Sequence, residues 1–259
     1  MSDEHLSYLL TIDSGNSYVK WGLYSDNKWL KKGRVFYSDV LLLEKEFVNL
    51  PEPTIVVISH VARAITRDQL NALISIWPIK PYWIVAQTFQ CDVANGYSDP
   101  AQLGSDRWAA LIAAWRIQRH ACLVINVGTA VTIDALSDSG RFVGGVIFPG
   151  AHLVLSSLLS GTQLVDVEKG NYQDFPLNTN DAIQSGLIQC LIGAIERMYN
   201  LLSLRLGHFV GNCVISGGDA SILVPFIKFP TIIIDDLVLE GLAIIADDFQ
   251  LNRKSAISS

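Results

Sequence analysis

The sequence predicts an α/β protein made of two duplicated halves, each with a mixed sheet, facing one another across a cleft. Three observations lead there. Apolar stretches with strand-like β-branched and aromatic residues alternate with stretches at helical spacing along the chain. The segment Leu10-Thr-Ile-Asp-Ser-Gly-Asn-Ser-Tyr-Val-Lys20 is echoed by Leu123-Val-Ile-Asn-Val-Gly-Thr-Ala-Val-Thr-Ile133, where an apolar strand again meets Asp or Asn, then x-Gly, then a small polar residue. A repeat of this kind marks a diverged duplication. No Gly/Ser-rich or Pro-rich linker interrupts the chain, so the halves, 1–119 and 120–259, are expected to pack together.

Each element follows from local pattern. Tyr8 to Ile12 and Tyr18 to Tyr24 read as strands of a hairpin whose polar tip is Asp13 to Ser17. Thr54 to Ser59 and Tyr82 to Val85 are further strands, with helical Arg67 to Ile76 between them. After the turn-rich Asn95 to Pro100, Trp108, Leu111, Ile112 and Trp115 stand at helical spacing, which predicts an amphipathic helix from Ser105 to Arg119 with Ser105 near its N-cap. The second half repeats the plan. Cys122 to Ile125, Ala130 to Leu136 and Phe142 to Ile147 are strands, Ala182 to Leu204 a helix and Cys213 to Ile215 a strand; a last helix, Leu239 to Asp248, ends the half.

Composition narrows the function classes. The chain has 259 residues, 50% hydrophobic and 17% charged, with a formal net charge of -6. That is enough apolar material for a sizeable core, and no basic tract exists to track a phosphate backbone, which argues against nucleic acid. Cys91, Cys122, Cys190 and Cys213 are far apart with no Cys-x-x-Cys, so neither a zinc site nor a disulfide framework is expected. The acidic start, Met-Ser-Asp-Glu-His, is unlike a secretory signal, and no apolar run is long enough to span a bilayer. A cytoplasmic, soluble protein is expected.

The first hairpin tip gathers an acid, a Gly, two small polar side chains and a Lys within eight residues, Asp13 to Lys20. Such a tip suits polyphosphate: Gly15 permits close backbone approach, Asn16 and Ser17 donate to phosphate oxygens, Lys20 adds positive charge and Asp13 holds Mg2+. Taken alone, an Asx-type hairpin turn accounts for the same residues. Neither a Walker A loop nor a Gly-x-Gly-x-x-Gly loop is present. The second tip, Asn126-Val-Gly-Thr-Ala130, supplies Gly128 and the hydroxyl of Thr129, and two such loops make a nucleotide clamp. Gly217 and Gly218, after a third apolar strand, leave room for adenine and ribose, or simply make a tight strand-to-helix turn.

Between the halves, Asp106 and Arg107 occupy the first turn of a helix, where the dipole favours the acid and disfavours the Arg unless it binds something. One reading makes Asp106 a base for a substrate hydroxyl and Arg107 a carboxylate clamp. The other is a surface ion pair worth about 0 to 1 kcal/mol. His60 and His152 have no second ligand nearby and read as structural. Asp134 either lines the cleft or caps a turn.

Taken in order, Asp13 to Lys20, Asn95 to Arg107, Asn126 to Asp134, Gly144 to Gly150, Thr179 to Ile183 and Gly217 to Ala220 resemble the motifs of the type III pantothenate kinases over nearly the whole chain. The resemblance implies ribonuclease-H-like halves of the actin-like ATPase and sugar-kinase fold. It also implies phosphorylation of pantothenate by ATP to 4'-phosphopantothenate, the first step toward coenzyme A. By resemblance, Asp13, Ser14, Gly15, Asn16, Ser17, Tyr18, Val19, Lys20 and Thr129 contact ATP and its Mg2+. Tyr97, Gly104, Ser105, Asp106, Arg107 and Thr179 contact pantothenate, with Asp106 as proton acceptor. Ser17 replaces a usual Thr and keeps the hydroxyl. Asn126 stands where the family has an Asp that binds a monovalent cation, so the charge that helps hold K+ or NH4+ is missing. A homodimer is implied, and Ile183, Leu187, Cys190, Leu191, Ala194 and Met198 form an apolar stripe suited to it. A phosphatase of the same fold and a nucleotide-binding regulator without turnover remain alternatives.

Overall fold

The computed structural model describes residues 7–162 and 168–257. They fall into two compact units, the first formed by the described residues up to Ile117 together with those from Asp236 onward, and the second by those from Gln118 to Asp235.

In the first unit, β1 (Leu9–Ser14) is central and buried along nearly its whole length. It pairs antiparallel with β2 (Tyr18–Ser25), which pairs antiparallel with β3 (Lys28–Phe36); on its other side it runs parallel to β4 (Ile55–His60), and β4 to β5 (Tyr82–Trp83). The order is β3-β2-β1-β4-β5. The apolar alternation of Leu10, Ile12, Val19 and Trp21 turns one sheet face onto Phe47 of α1 (Leu43–Phe47) and onto Leu70 and Ile74 of α2 (Ala64–Ile74), closing the first core. Trp21 meets Phe47 edge to face, centroids 5.7 Å apart.

The strand β3 escapes a pattern search because Lys28, Lys31, Lys32 and Arg34 break its apolar content. It is an edge strand, and those charges protect the unpaired edge from another chain. A small hairpin, β6 (Phe89–Gln90) and β7 (Val93–Ala94), lies before α3 (Ser105–Gln118).

Two features differ from the sequence reading. The helix α3 is not amphipathic in place: Arg107 through Trp115 are buried without a break, so no polar face is left toward solvent over that stretch. The last helix, α7 (Leu237–Ile257), packs on β1 and β4 of the first unit instead of completing the second. Its Gly241 is needed there, since a Cβ would collide with the carbonyl of Ala109 in α3.

The second unit repeats the topology. Strands β8 (Cys122–Val127), β9 (Ala130–Leu136), β10 (Phe142–Pro149), β11 (Cys213–Ser216) and β12 (Thr231–Ile233) take the order β10-β9-β8-β11-β12. β9 and β10 are antiparallel additions, and β11 and β12 parallel ones. The match of order and sense to the first sheet is the duplication read from the two Gly-containing segments. Leu123, Ile125, Val131 and Ile133 form the core with Leu191, Ile195 and Leu202 of α5 (Thr179–Leu206). That helix ends at Gly207, whose φ of 78° closes the turn. The apolar helix α4 (Ala151–Gly161) has no buried residue, and α6 (Ala220–Leu223) follows β11. Among the described residues no helix is long and apolar enough to cross a membrane.

Candidate active site

In the first unit the β1–β2 hairpin presents the phosphate-type tip. Asp13 lies opposite Lys20 and Ser14 opposite Val19, and the Gly15 amide donates to the Tyr18 carbonyl at 3.0 Å. A Cβ at Gly15 would stand 3.2 Å from that same carbonyl, so glycine keeps the tip tight. Asn16 is exposed at the tip. The Ser17 carbonyl accepts from the Tyr37 amide at 3.0 Å, and the Tyr18 ring stacks on Phe36 at 4.6 Å. Val19, expected among the ligand contacts, has its side chain in the first core, so only its backbone can serve a ligand.

Lys20 lies near two carboxylates, Asp13 and Asp236. Its ammonium donates to Asp236 at 2.9 Å, at the start of the return to the first unit. Asp13 Oδ1 is buried and has no hydrogen-bond partner. Burial above all, then the nearby Asp106 charge and more weakly Asp236, outweigh Lys20 and push the Asp13 carboxyl up to about 7. An orphaned carboxylate oxygen beside a second carboxylate is the arrangement a hard divalent cation satisfies. The residues therefore fit Mg2+ at Asp13.

The Asn95–Arg107 segment folds as a compact loop. Asn95 Oδ1 accepts from the Tyr97 amide at 3.0 Å, and Asp99 caps the short turn after it by accepting from Ala101 at 3.1 Å. The Arg107 guanidinium is buried and donates to the Tyr97 hydroxyl at 3.1 Å, which joins two of the sequence-predicted substrate residues. Asp106 Oδ1 accepts from the Arg107 amide at 2.8 Å. Burial raises the Asp106 pKa, opposed by that hydrogen bond and by the Arg107 charge. A Cβ at Gly104 would lie 2.6 Å from Asp106 Oδ1, so glycine there makes room for the carboxylate.

Ser105 does not cap the helix with its hydroxyl. It shares a hydrogen bond of 3.0 Å with Ser59 Oγ and accepts from the His60 amide at 3.1 Å. His60 Nδ1 in turn lies 3.0 Å from Ser14 Oγ, and its ring stands edge-on to Trp83. Burial first, then Arg67, lowers the His60 pKa. The carboxyl ends of β1 and β4 thus bring Asp13, Ser14, His60 and the Ser105–Arg107 turn into one neighbourhood, where open parallel sheets bind ligands. Sequence spacing missed His60 and Asp236. His60 carried one usable signal, its place at a strand end beside the tip, whereas Asp236 lies 216 residues from Lys20 and carried none.

In the second unit the matching tip is tighter. The Gly128 amide donates to Ala130 at 3.1 Å, and the Thr129 carbonyl accepts from Gly150 at 2.9 Å. Gly217 has φ of 106° and packs on the backbone of Val127, so the 216–220 turn sits directly against this tip and admits no side chain there. A Cβ at Gly218 would meet open space. Asn126 pairs with Thr132 and Ser216 across the ladders. Asp134 is buried within β9, and His152 is exposed on α4. Thr179, the first residue of α5, lines a groove of about 650 Å³ with Val154, Leu158, Leu177, Ile183 and Cys190.

Comparison with known proteins accords with this pattern. A family model described as type III pantothenate kinase matches residues 9–201. The chain belongs to the type III pantothenate kinase family. A type III pantothenate kinase of Nitrosospira multiformis is 48% identical over 238 residues, covering 92% of this chain and 90% of that one. Another, of Nitrosomonas eutropha, is 47% identical over 254 residues, covering 96% and 98%. Among solved structures, MreB 5 of Spiroplasma citri bound to AMPPNP is similar at a TM-score of 0.50 and 12% identity, covering 96% of this chain and 99% of that one. That likeness concerns the fold, which is the actin-like α/β architecture with two mixed sheets.

Proposed function

We propose that this kinase transfers the γ-phosphoryl group of ATP to the primary hydroxyl of pantothenate, giving ADP and 4'-phosphopantothenate for coenzyme A synthesis in the cytoplasm. The observation that carries the reading is the meeting of the Asp13–Lys20 tip with the Asp106–Arg107 turn in a chain of this family. Phosphoryl transfer asks for positioning and charge neutralisation more than covalent chemistry, and both are on hand.

The tip takes the polyphosphate through its backbone amides, Asn16, Ser17 and Lys20, while Gly128 and Thr129 serve as the second phosphate turn. Gly217 holds the turn against the second tip, and Gly218, which faces open space, leaves room there for adenosine. Mg2+ would be held by Asp13 and would neutralise charge on the transferring phosphoryl oxygens. Lys20 has three N–H donors and spends one on Asp236, which leaves two for phosphate. Arg107, its plane set by Tyr97, receives the pantothenate carboxylate. Asp106 accepts the hydroxyl proton; its raised pKa brings it nearer the operating pH, where a base is most effective. Asn126 offers only a neutral amide oxygen to K+ or NH4+.

The same reading makes the kinase a homodimer. Leu177, 98% exposed, lines the Thr179 groove with Val154, Leu158 and Ile183, an apolar surface suited to a second copy whose substrate site Thr179 would join. The test is ADP release by the purified protein with and without pantothenate. Release that requires pantothenate supports the kinase; pantothenate-independent release would indicate a phosphatase, and no release a regulator.

A further inference from the structure

His60, at the carboxyl end of β4, touches the phosphate tip. Its ring nitrogen Nδ1 lies 3.0 Å from Ser14 Oγ, and its backbone amide donates at 3.1 Å to Ser105 Oγ, the residue before Asp106. Ser105 is tied a second time, to Ser59 at 3.0 Å. The Val61 amide donates to the Ser14 carbonyl at 3.0 Å, so residues 59–61 grip both the tip and the first turn of α3. Ser14 is fully buried, and a buried hydroxyl without a hydrogen-bond partner is costly; the hydrogen bond shared with His60 Nδ1 supplies one. The imidazole is itself braced, standing edge-on at 84° to Trp83, whose ring face Arg67 covers at 4.5 Å.

We propose that His60 is a positioning residue for phosphoryl transfer, fixing the phosphate tip at Ser14 to the β4 end that also seats the Asp106 turn. The inference rests on the kinase reading above, because it concerns the separation of the donor phosphate from the acceptor base. In-line transfer tolerates little error in that separation: a shift of about 1 Å is worth on the order of 100-fold in rate. A residue of this kind acts on kcat more than on ATP affinity, since the tip's own donors remain. Asn at position 60 keeps a hydrogen-bonding atom near the place of Nδ1 and can hold Ser14, whereas Ala cannot.

The experiment compares wild type, His60→Ala, His60→Asn and Ser14→Ala by pantothenate-dependent ADP release, Mg·ATP binding by calorimetry, and amide hydrogen exchange of the free chains. His60→Ala is expected to lower kcat by about tenfold or more with ATP affinity within about threefold. His60→Asn should recover most of the loss, and Ser14→Ala combined with His60→Ala should cost no more than the worse single change. Exchange in His60→Ala should quicken at residues 14–18 and 105–108 while 122–127 stays unchanged. A wild type without pantothenate-dependent release would overturn the kinase reading and leave the exchange pattern to decide the positioning role. Unchanged kcat in His60→Ala, no rescue by Asn in a folded protein, or unchanged exchange at both segments would overturn the inference itself.

Discussion

Gly104→Ala tests whether the aim of Asp106 sets the rate. The added Cβ would lie 2.6 Å from Asp106 Oδ1, where ordinary contact begins near 3.4 Å. The carboxylate oxygen must therefore retreat by roughly 0.8 Å, and the neighbour that gives way is the free end of a short side chain. Retreat stretches the 2.8 Å hydrogen bond from the Arg107 amide, which now fixes the carboxylate. The fold loses little, about 1 kcal/mol for replacing Gly at a helix start by Ala. The reaction loses more: a displacement near 1 Å at a reacting group costs on the order of 100-fold, so kcat should fall about 10- to 100-fold with ATP binding nearly intact. Asp106→Asn, which removes the base outright, should cost at least about 100-fold. The double variant should be no slower than Asp106→Asn alone, because no base is left to misplace. Pantothenate-dependent ADP release, calorimetric ATP binding and a thermal melt on the four proteins supply the numbers. A folded Gly104→Ala protein at near wild-type kcat would refute the reasoning, as would multiplicative losses in the double variant.

Other expectations follow from the same neighbourhood. With metal chelated, the Asp13 carboxyl, raised to about 7 mainly by burial, favours the fold while protonated, and that contribution is lost as pH rises through about 7. The wild-type melting temperature should thus fall between pH 5 and 8 more steeply than that of Asp13→Asn, and Mg2+ at pH 8 should raise it in the wild type alone; equal slopes would contradict the burial. Asn126→Asp should increase the dependence of activity on K+, and a strict K+ requirement in the unmodified protein would oppose the weak-site reading. Mixing Thr179→Ala with Asp106→Asn protomers should restore activity in the heterodimer, since one of its two shared sites would be intact. An active monomer in sedimentation, or heterodimers without recovery, would exclude a shared site.

The duplicated sheets were legible because each half carries an apolar strand that ends in a Gly-containing turn, and strand order follows once that strand is central. Local pattern could not show β3, an edge strand whose lysines serve solvent and not the core. Nor could it assign α7, because an apolar helix fits either sheet by composition, and contacts made only on folding, its packing on β1 and β4 and the close approach of Gly241 to Ala109, place it in the first unit. At the site, contiguous motifs carried Asp13, Gly15, Lys20, Asp106 and Arg107. Contacts made by folding were silent in the sequence: Lys20 with Asp236, and Ser14 with His60. Val19 shows the converse limit, where a motif position supplies core packing and leaves the ligand to its backbone.

The most direct test of the account follows the label from γ-labelled ATP in the presence of Mg2+ and pantothenate. Label is expected on the pantothenate hydroxyl in step with ADP formed, and is expected to be absent with Asp106→Asn. Label recovered as inorganic phosphate at a rate indifferent to pantothenate would contradict it.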